Sequence, residues 1–158
     1  MYGLLLLWVL AGGLPAQTVR EALTGVWTGT GRLNGLEAQA TQTWSSELGG
    51  RFRKLTYRVT LQLKEGRTAR FEGDAYYPGR SACPCIGTWF DSNGEVYELR
   101  GEESEGKLVS EWGRRGESVG RTEYRLSGRD QLEVTDWVKT KDGNWREFAN
   151  ISYRRKVD

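Results

Sequence analysis

Histidine is absent from the 158-residue chain, and that absence removes more chemistry than any motif adds. A Ser-His-Asp or Cys-His nucleophile system needs an imidazole to carry the proton. A zinc helix of the HExxH kind and a histidine-ligated haem need it as a ligand. Met1 is the only methionine, so thioether ligation of haem is excluded too. Any catalysis would rest on Asp, Glu, Tyr, Lys, Arg or Cys. An excess of one charge is also lacking: 23 Lys and Arg stand against 21 Asp and Glu, a net +2. So balanced a chain carries no electrostatic footprint for nucleic acid. Arg114-Arg115 and Arg154-Arg155-Lys156 read as solvated strand ends. Beyond residue 20, no stretch repeats apolar residues at helical spacing.

Long apolar runs are scarce. The one at the start, Leu4 to Leu10, is short, and Gly12, Gly13 and Pro15 follow it. No charged residue precedes Arg20. This reads as a secretory signal peptide over residues 1–16, ending at Leu14-Pro15-Ala16. It departs from the usual pattern in having no Lys or Arg before the run. An uncleaved anchor is disfavoured, because a spanning helix wants roughly 20 uninterrupted apolar residues. The expectation is a secreted or periplasmic protein with no membrane span after cleavage. Residues 17–158 then form a single β-barrel domain, large enough for one core.

What is abundant is turn chemistry. Gly49-Gly50, Glu65-Gly66, Asn93-Gly94, Glu105-Gly106, Ser127-Gly128 and Asp142-Gly143 punctuate the chain. Glycine there supplies the positive φ that tight hairpins need. The intervening runs are of strand length and rich in Val, Tyr, Trp and Thr. In "LTYRVTLQL", Leu55, Tyr57, Val59, Leu61 and Leu63 alternate with Thr56, Arg58, Thr60 and Gln62. That is the period of a sheet with one buried face.

Treating each Xaa-Gly pair as the centre of a two-residue turn predicts register. Around Asp142-Gly143, Leu132 opposes Tyr153, Val134 opposes Ile151, Asp136 opposes Ala149 and Val138 opposes Glu147. This mostly apolar face is expected to point inward. Around Asn93-Gly94, Phe90 opposes Tyr97, while Trp89 faces away opposite Glu98, with Asp91 bonding the turn backbone. Around Glu105-Gly106, Leu99 opposes Trp112. About ten short strands in one meander predict an all-β, antiparallel up-and-down sheet. Closing it into an 8–10-stranded barrel removes its edges.

Gly25-Val26-Trp27 on the first strand resembles the Gly-x-Trp of lipocalin-type (calycin) barrels, and "ISYRRK" offers Arg154 or Arg155 where such barrels place an arginine against that tryptophan. "GTWFDSNGE" and "FANISYRRK" resemble an uncharacterised family of bacterial secreted lipocalin-like domains. The resemblance implies fold and is silent on activity. A related group of barrels binds haem through histidine; this chain has none, so haem is not carried over.

Several candidates for chemistry remain. Cys83-Pro84-Cys85 suits a local disulfide in an oxidising compartment, or an idle thiol pair. A redox pair or a Cu(I) site is the functional alternative. Zinc would lack ligands, and no metal or other cofactor is expected. Asp136 and Glu147 fall on the predicted inward face, diagonal to each other. Two close buried carboxylates can split their pKa values as acid–base catalysis requires; an inward arginine or water at the barrel mouth would make them structural instead. Tyr57, Tyr97, Trp112, Tyr124 and Trp145 are the inward aromatics, and with Asp136 and Glu147 they are the expected ligand-binding set. "GVWTGTG" is no nucleotide loop, since no helix follows and Asn34 stands where a third glycine belongs.

The expected function is binding of a small, partly apolar molecule inside the barrel. Two alternatives stand beside it: a barrel filled by its own side chains and acting through its surface, and an enzyme using the Asp136/Glu147 pair. The ligand's identity and the oligomeric state are not legible.

Overall fold

The computed structural model describes residues 17–80 and 83–157; the segment 1–16, read above as a signal peptide, lies outside them. A one-turn helix, α1 (Val19–Ala22), leads into ten strands: β1 (Gly25–Leu33), β2 (Leu36–Glu47), β3 (Phe52–Gln62), β4 (Thr68–Pro78), β5 (Cys85–Asp91), β6 (Val96–Ser104), β7 (Lys107–Arg114), β8 (Glu117–Leu126), β9 (Gln131–Lys139) and β10 (Trp145–Arg155). Each strand pairs antiparallel with its sequence neighbours, and β10 returns to β1, so the barrel is closed. Among the described residues every strand has a neighbour on both sides, the β4–β5 ladder being the shortest at Gly73–Tyr76 against Thr88–Asp91. The fold is the expected meander, with ten strands. Gly29 on β1 permits the closing approach: a Cβ there would lie 2.6 Å from the Tyr153 ring on β10.

One end of the barrel is plugged. Thr18 caps α1 by accepting from the Glu21 N–H (3.2 Å), and Glu21 accepts from the Thr18 N–H (3.0 Å), a reciprocal capping box. This holds Val19 and Leu23 against the core, both buried. Arg20 is buried too, its Nε donating to Glu103 at 2.7 Å. Trp27 is fully buried and its Nε1 donates to the Leu23 carbonyl at 2.7 Å. The arginine set against Trp27 is Arg155, not Arg154. Its guanidinium lies 4.1 Å from the ring centroid and donates to the Ala22 carbonyl at 2.8 Å and to the Thr24 carbonyl.

Two registers differ from expectation, for one reason. The β5–β6 hairpin pairs Trp89 with Tyr97 and Phe90 with Val96, one residue away from the predicted pairing. Asp91 causes the shift: its Oδ1 accepts from the N–H groups of Asn93 (2.9 Å) and Glu95 (3.1 Å). The turn then closes between Asp91 and Glu95 with three residues, Gly94 taking the left-handed position at φ 79°. The slip exchanges the faces, as a one-residue slip must. Trp89 points inward, and Phe90 is exposed.

The β9–β10 turn behaves alike, closing between Thr140 and Asn144. Here a β-bulge between Glu147 and Ala149 restores the register. Leu132–Tyr153, Val134–Ile151 and Asp136–Ala149 pair as predicted, whereas Glu147 opposes Trp137 instead of Val138. Glu105-Gly106 makes a true two-residue turn, and Leu99 opposes Trp112 as expected.

Candidate functional site

The barrel interior holds a cavity of about 430 Å³. It reaches the end opposite α1, where the β1–β2 and β5–β6 turns contribute Asn34 and Asn93 to its lining. Inward positions of nearly every strand supply its wall, because alternate residues of a closed sheet share one interior.

Aromatic rings make much of the wall. Tyr57, Phe71 and Trp89 form a cluster with centroids 6.3–6.4 Å apart, and Tyr97 and Trp112 face each other at 5.3 Å. Two inward glycines give the indoles their places. A Cβ on Gly73 would overlap the Trp89 ring, and one on Gly120 the Trp112 ring. Trp89 is also held by its Nε1, which donates to Asp91 Oδ2 at 3.1 Å. One aspartate therefore shapes the turn and orients a wall residue.

Polar groups share the lining. Tyr77 donates its hydroxyl to Ser110 at 2.8 Å, and Trp44 Nε1 donates to Gln42 at 3.2 Å. Burial pushes the Tyr77 hydroxyl up to about 12. Asp136 accepts from the Thr122 hydroxyl at 2.5 Å. Asp136 is half-buried and lines the cavity. Enclosure by protein nevertheless raises its pKa from the ordinary 3.8 to about 6, against the smaller lowering effect of Thr122. Among the described residues, no lysine or arginine pairs with it. Tyr57, Tyr124 and Tyr153 are raised chiefly by burial, with the Asp136 charge adding to each. The Tyr153 hydroxyl is buried without an aligned hydrogen-bond partner, although Gln42 is beside it.

Of the residues singled out in the sequence, Tyr57, Tyr97, Trp112, Tyr124 and Asp136 line the cavity together. Trp145 and Glu147 do not. Trp145 opposes Lys139, and its ring carries Arg121 at 5.0 Å and Lys139 at 5.9 Å, on the outer face with Trp137. Glu147 is exposed, because the adjacent bulge turns it outward while Phe148 joins the lining. The Asp136/Glu147 pair is therefore not assembled. Trp89, assigned by sequence to the other face, is a wall residue. The signal that could have found it was Asp91, whose capping of the turn fixes the loop at three residues.

Cys83 and Cys85 are joined in a disulfide at a Cα separation of 4.3 Å, Pro84 between them following a cis bond. The pair sits at the α1 end, with Gly101 making room for both sulfurs. Among the described residues, no group of three or more Cys, Asp or Glu is placed to hold a metal ion. No helix among them is long and apolar enough to cross a membrane.

No protein-family model and no curated protein matches this chain. Among solved structures, it is similar to Rv2717c from M. tuberculosis, at a TM-score of 0.60 and 14% identity, over 86% of this chain and 94% of that one. It is also similar to the S-type phycobiliprotein lyase CPES from Guillardia theta, at a TM-score of 0.54 and 11% identity, over 90% of this chain and 94% of the lyase. At such identities the likeness establishes a shared barrel fold and carries no chemistry across.

Proposed function

We propose that this protein is a lipocalin-like barrel that binds one small, partly apolar molecule in its interior. The observation that carries the reading is the 430 Å³ cavity itself. A barrel that served only as a filled scaffold would spend its inward positions on close packing. Here inward glycines hold indoles at the wall of an open space, with a few polar groups among them. That volume falls within the roughly 300–1,000 Å³ of small-molecule sites, and the mixture of apolar wall and sparse polar groups is what such sites use. The catalytic alternative loses its basis with Glu147 on the outer surface. The secreted or periplasmic location is part of the same proposal. It is supported by the short uncharged N-terminal run and by a disulfide, which persists in oxidising compartments.

Native mass spectrometry of the protein purified from its own host tests the binding. A retained mass that leaves on denaturation is the expected result. Val134→Phe, which fills the cavity from a buried position on β9, is expected to abolish it. An adduct that survives the filling substitution would place the ligand elsewhere and refute the reading. Fractionation of host cells checks the location; recovery in the cytosol would refute that part.

A further inference from the structure

The cavity has an electrostatic character that the binding reading alone does not specify. Among the described residues that line it there are three carboxylates, Asp91, Glu95 and Asp136, and no lysine or arginine. The first two are already satisfied. Asp91 accepts from two turn amides and from Trp89. Glu95 is ion-paired at the rim with Arg114, which lies 5.0 Å from the Tyr97 ring centroid. Arg146, opposite Val138 on β10, is exposed. Asp136 alone is enclosed with a single hydroxyl donor and no counter-charge. An enclosed carboxylate without a cation is costly to ionise, and a ligand that brought the cation would remove that cost.

The surroundings suit a cation as well. Rings of Tyr57, Phe71, Trp89, Tyr97 and Trp112 line the same cavity as Asp136, and aromatic faces attract ammonium groups, most strongly where water is excluded. The buried Tyr153 hydroxyl lacks an aligned partner and can accept a hydrogen bond from an N–H donor. A carboxylate, phosphate or sulfate ligand would meet the same charge sign in Asp136 and find no cation among the described lining residues. Fatty acids and other apolar anions are therefore the wrong class.

We propose that the ligand is an organic cation, an apolar or aromatic body bearing a protonated amine, with the amine seated against Asp136 and the body among the aromatic rings. This rests on the interior being a binding site, and the test separates the two claims. Three naphthalene probes share one body: naphthylmethylamine, naphthylmethanol and naphthoate. Each is titrated into the full-length protein at pH 8 and followed by tryptophan fluorescence and calorimetry. The amine is expected to bind at least about tenfold more tightly than the alcohol, and the naphthoate more weakly than either. Asp136→Asn is expected to bring the amine down to the affinity of the alcohol, leaving the alcohol within about twofold of wild type.

A second measurement needs no variant. Lowering the pH from 8 to 5 protonates Asp136 and is expected to weaken the amine at least about fivefold while leaving the alcohol unmoved. If the alcohol or the naphthoate binds as tightly as the amine, the organic-cation proposal falls and the binding cavity stands. If none of the three binds, both fall.

Discussion

Arg155 on the last strand packs its guanidinium 4.1 Å from the ring centroid of Trp27 on the first, and the same side chain donates to the carbonyls of Ala22 and Thr24. One residue thus ties β10 to β1 and both to the segment that plugs the barrel. The carbonyls it satisfies belong to the last residue of α1 and to Thr24 just before β1, where the chain leaves its helical turn. A planar fork that stacks and donates together is a task for arginine, and lysine does not reproduce it.

Arg155→Ala removes a cation–π contact and its hydrogen bonds to the plug. The expected loss is about 2 kcal/mol, or roughly 4–8 °C in Tm for a domain of this size. Arg155→Lys should recover less than half of it. Thermal unfolding of the three proteins checks this; a lysine variant as stable as wild type would refute the role of the fork.

Gly120→Ala places a methyl group where the Trp112 ring lies. The ring must leave its position or the strand must shift, at about 1–3 kcal/mol. Because Trp112 lines the cavity, the substitution should also weaken interior ligands. The same exchange at Gly128, where a Cβ meets nothing but φ is 83°, should cost stability through the backbone alone and leave binding intact. Chemical denaturation and probe titration on both variants separate the two effects.

Asp136 makes stability depend on pH with an unusual sign. Its pKa in the folded protein, about 6, lies above the ordinary 3.8, so the folded state holds the proton more tightly. Stability is therefore greatest below pH 4 as far as this group is concerned. It falls between about pH 4 and 6 and stays lower above that, by on the order of 2–3 kcal/mol. Tyr57, Tyr124 and Tyr153 stay neutral throughout, since burial pushes their hydroxyls above the usual value. Asp136→Asn, which stays neutral, should be more stable than wild type at pH 7 and equal to it at pH 4. Urea midpoints at the two pH values decide it.

Asp91→Ala strips the acceptor from the Asn93 and Glu95 amides and from the Trp89 indole. A destabilisation of about 1–2 kcal/mol is expected, together with a shift in tryptophan emission as Trp89 loosens. Asp91→Asn, keeping one acceptor oxygen, should fall between. An unchanged emission spectrum in the alanine variant would show that Trp89 is positioned by packing on Gly73 alone.

The fold was largely legible because it is written in local signals. Xaa-Gly pairs set the hairpins, and period-two runs such as Leu55 to Leu63 marked a buried face. The site was legible in part. Tyr57, Tyr97, Trp112, Tyr124 and Asp136 lie on strands whose inward parity the turns assign correctly. Trp89, Trp145 and Glu147 were misassigned, each beside a turn one residue longer than its glycine implies. In the β9–β10 hairpin the bulge at Phe148 cancels the turn's extra residue, so the far end of the register came out right while the near end did not.

Composition and spacing were sufficient for an all-β meander, for the absence of imidazole chemistry and for the strands that share an interior. They could not supply the hollow, because a void is a property of how ten strands close and of where two indoles rest on glycines across the sheet. Nor could they leave Asp136 without a cation: that depends on which arginines turn outward. Side-chain parity is local, but enclosure and charge neighbourhood are sums over residues far apart in the chain, and those exist once the barrel has shut.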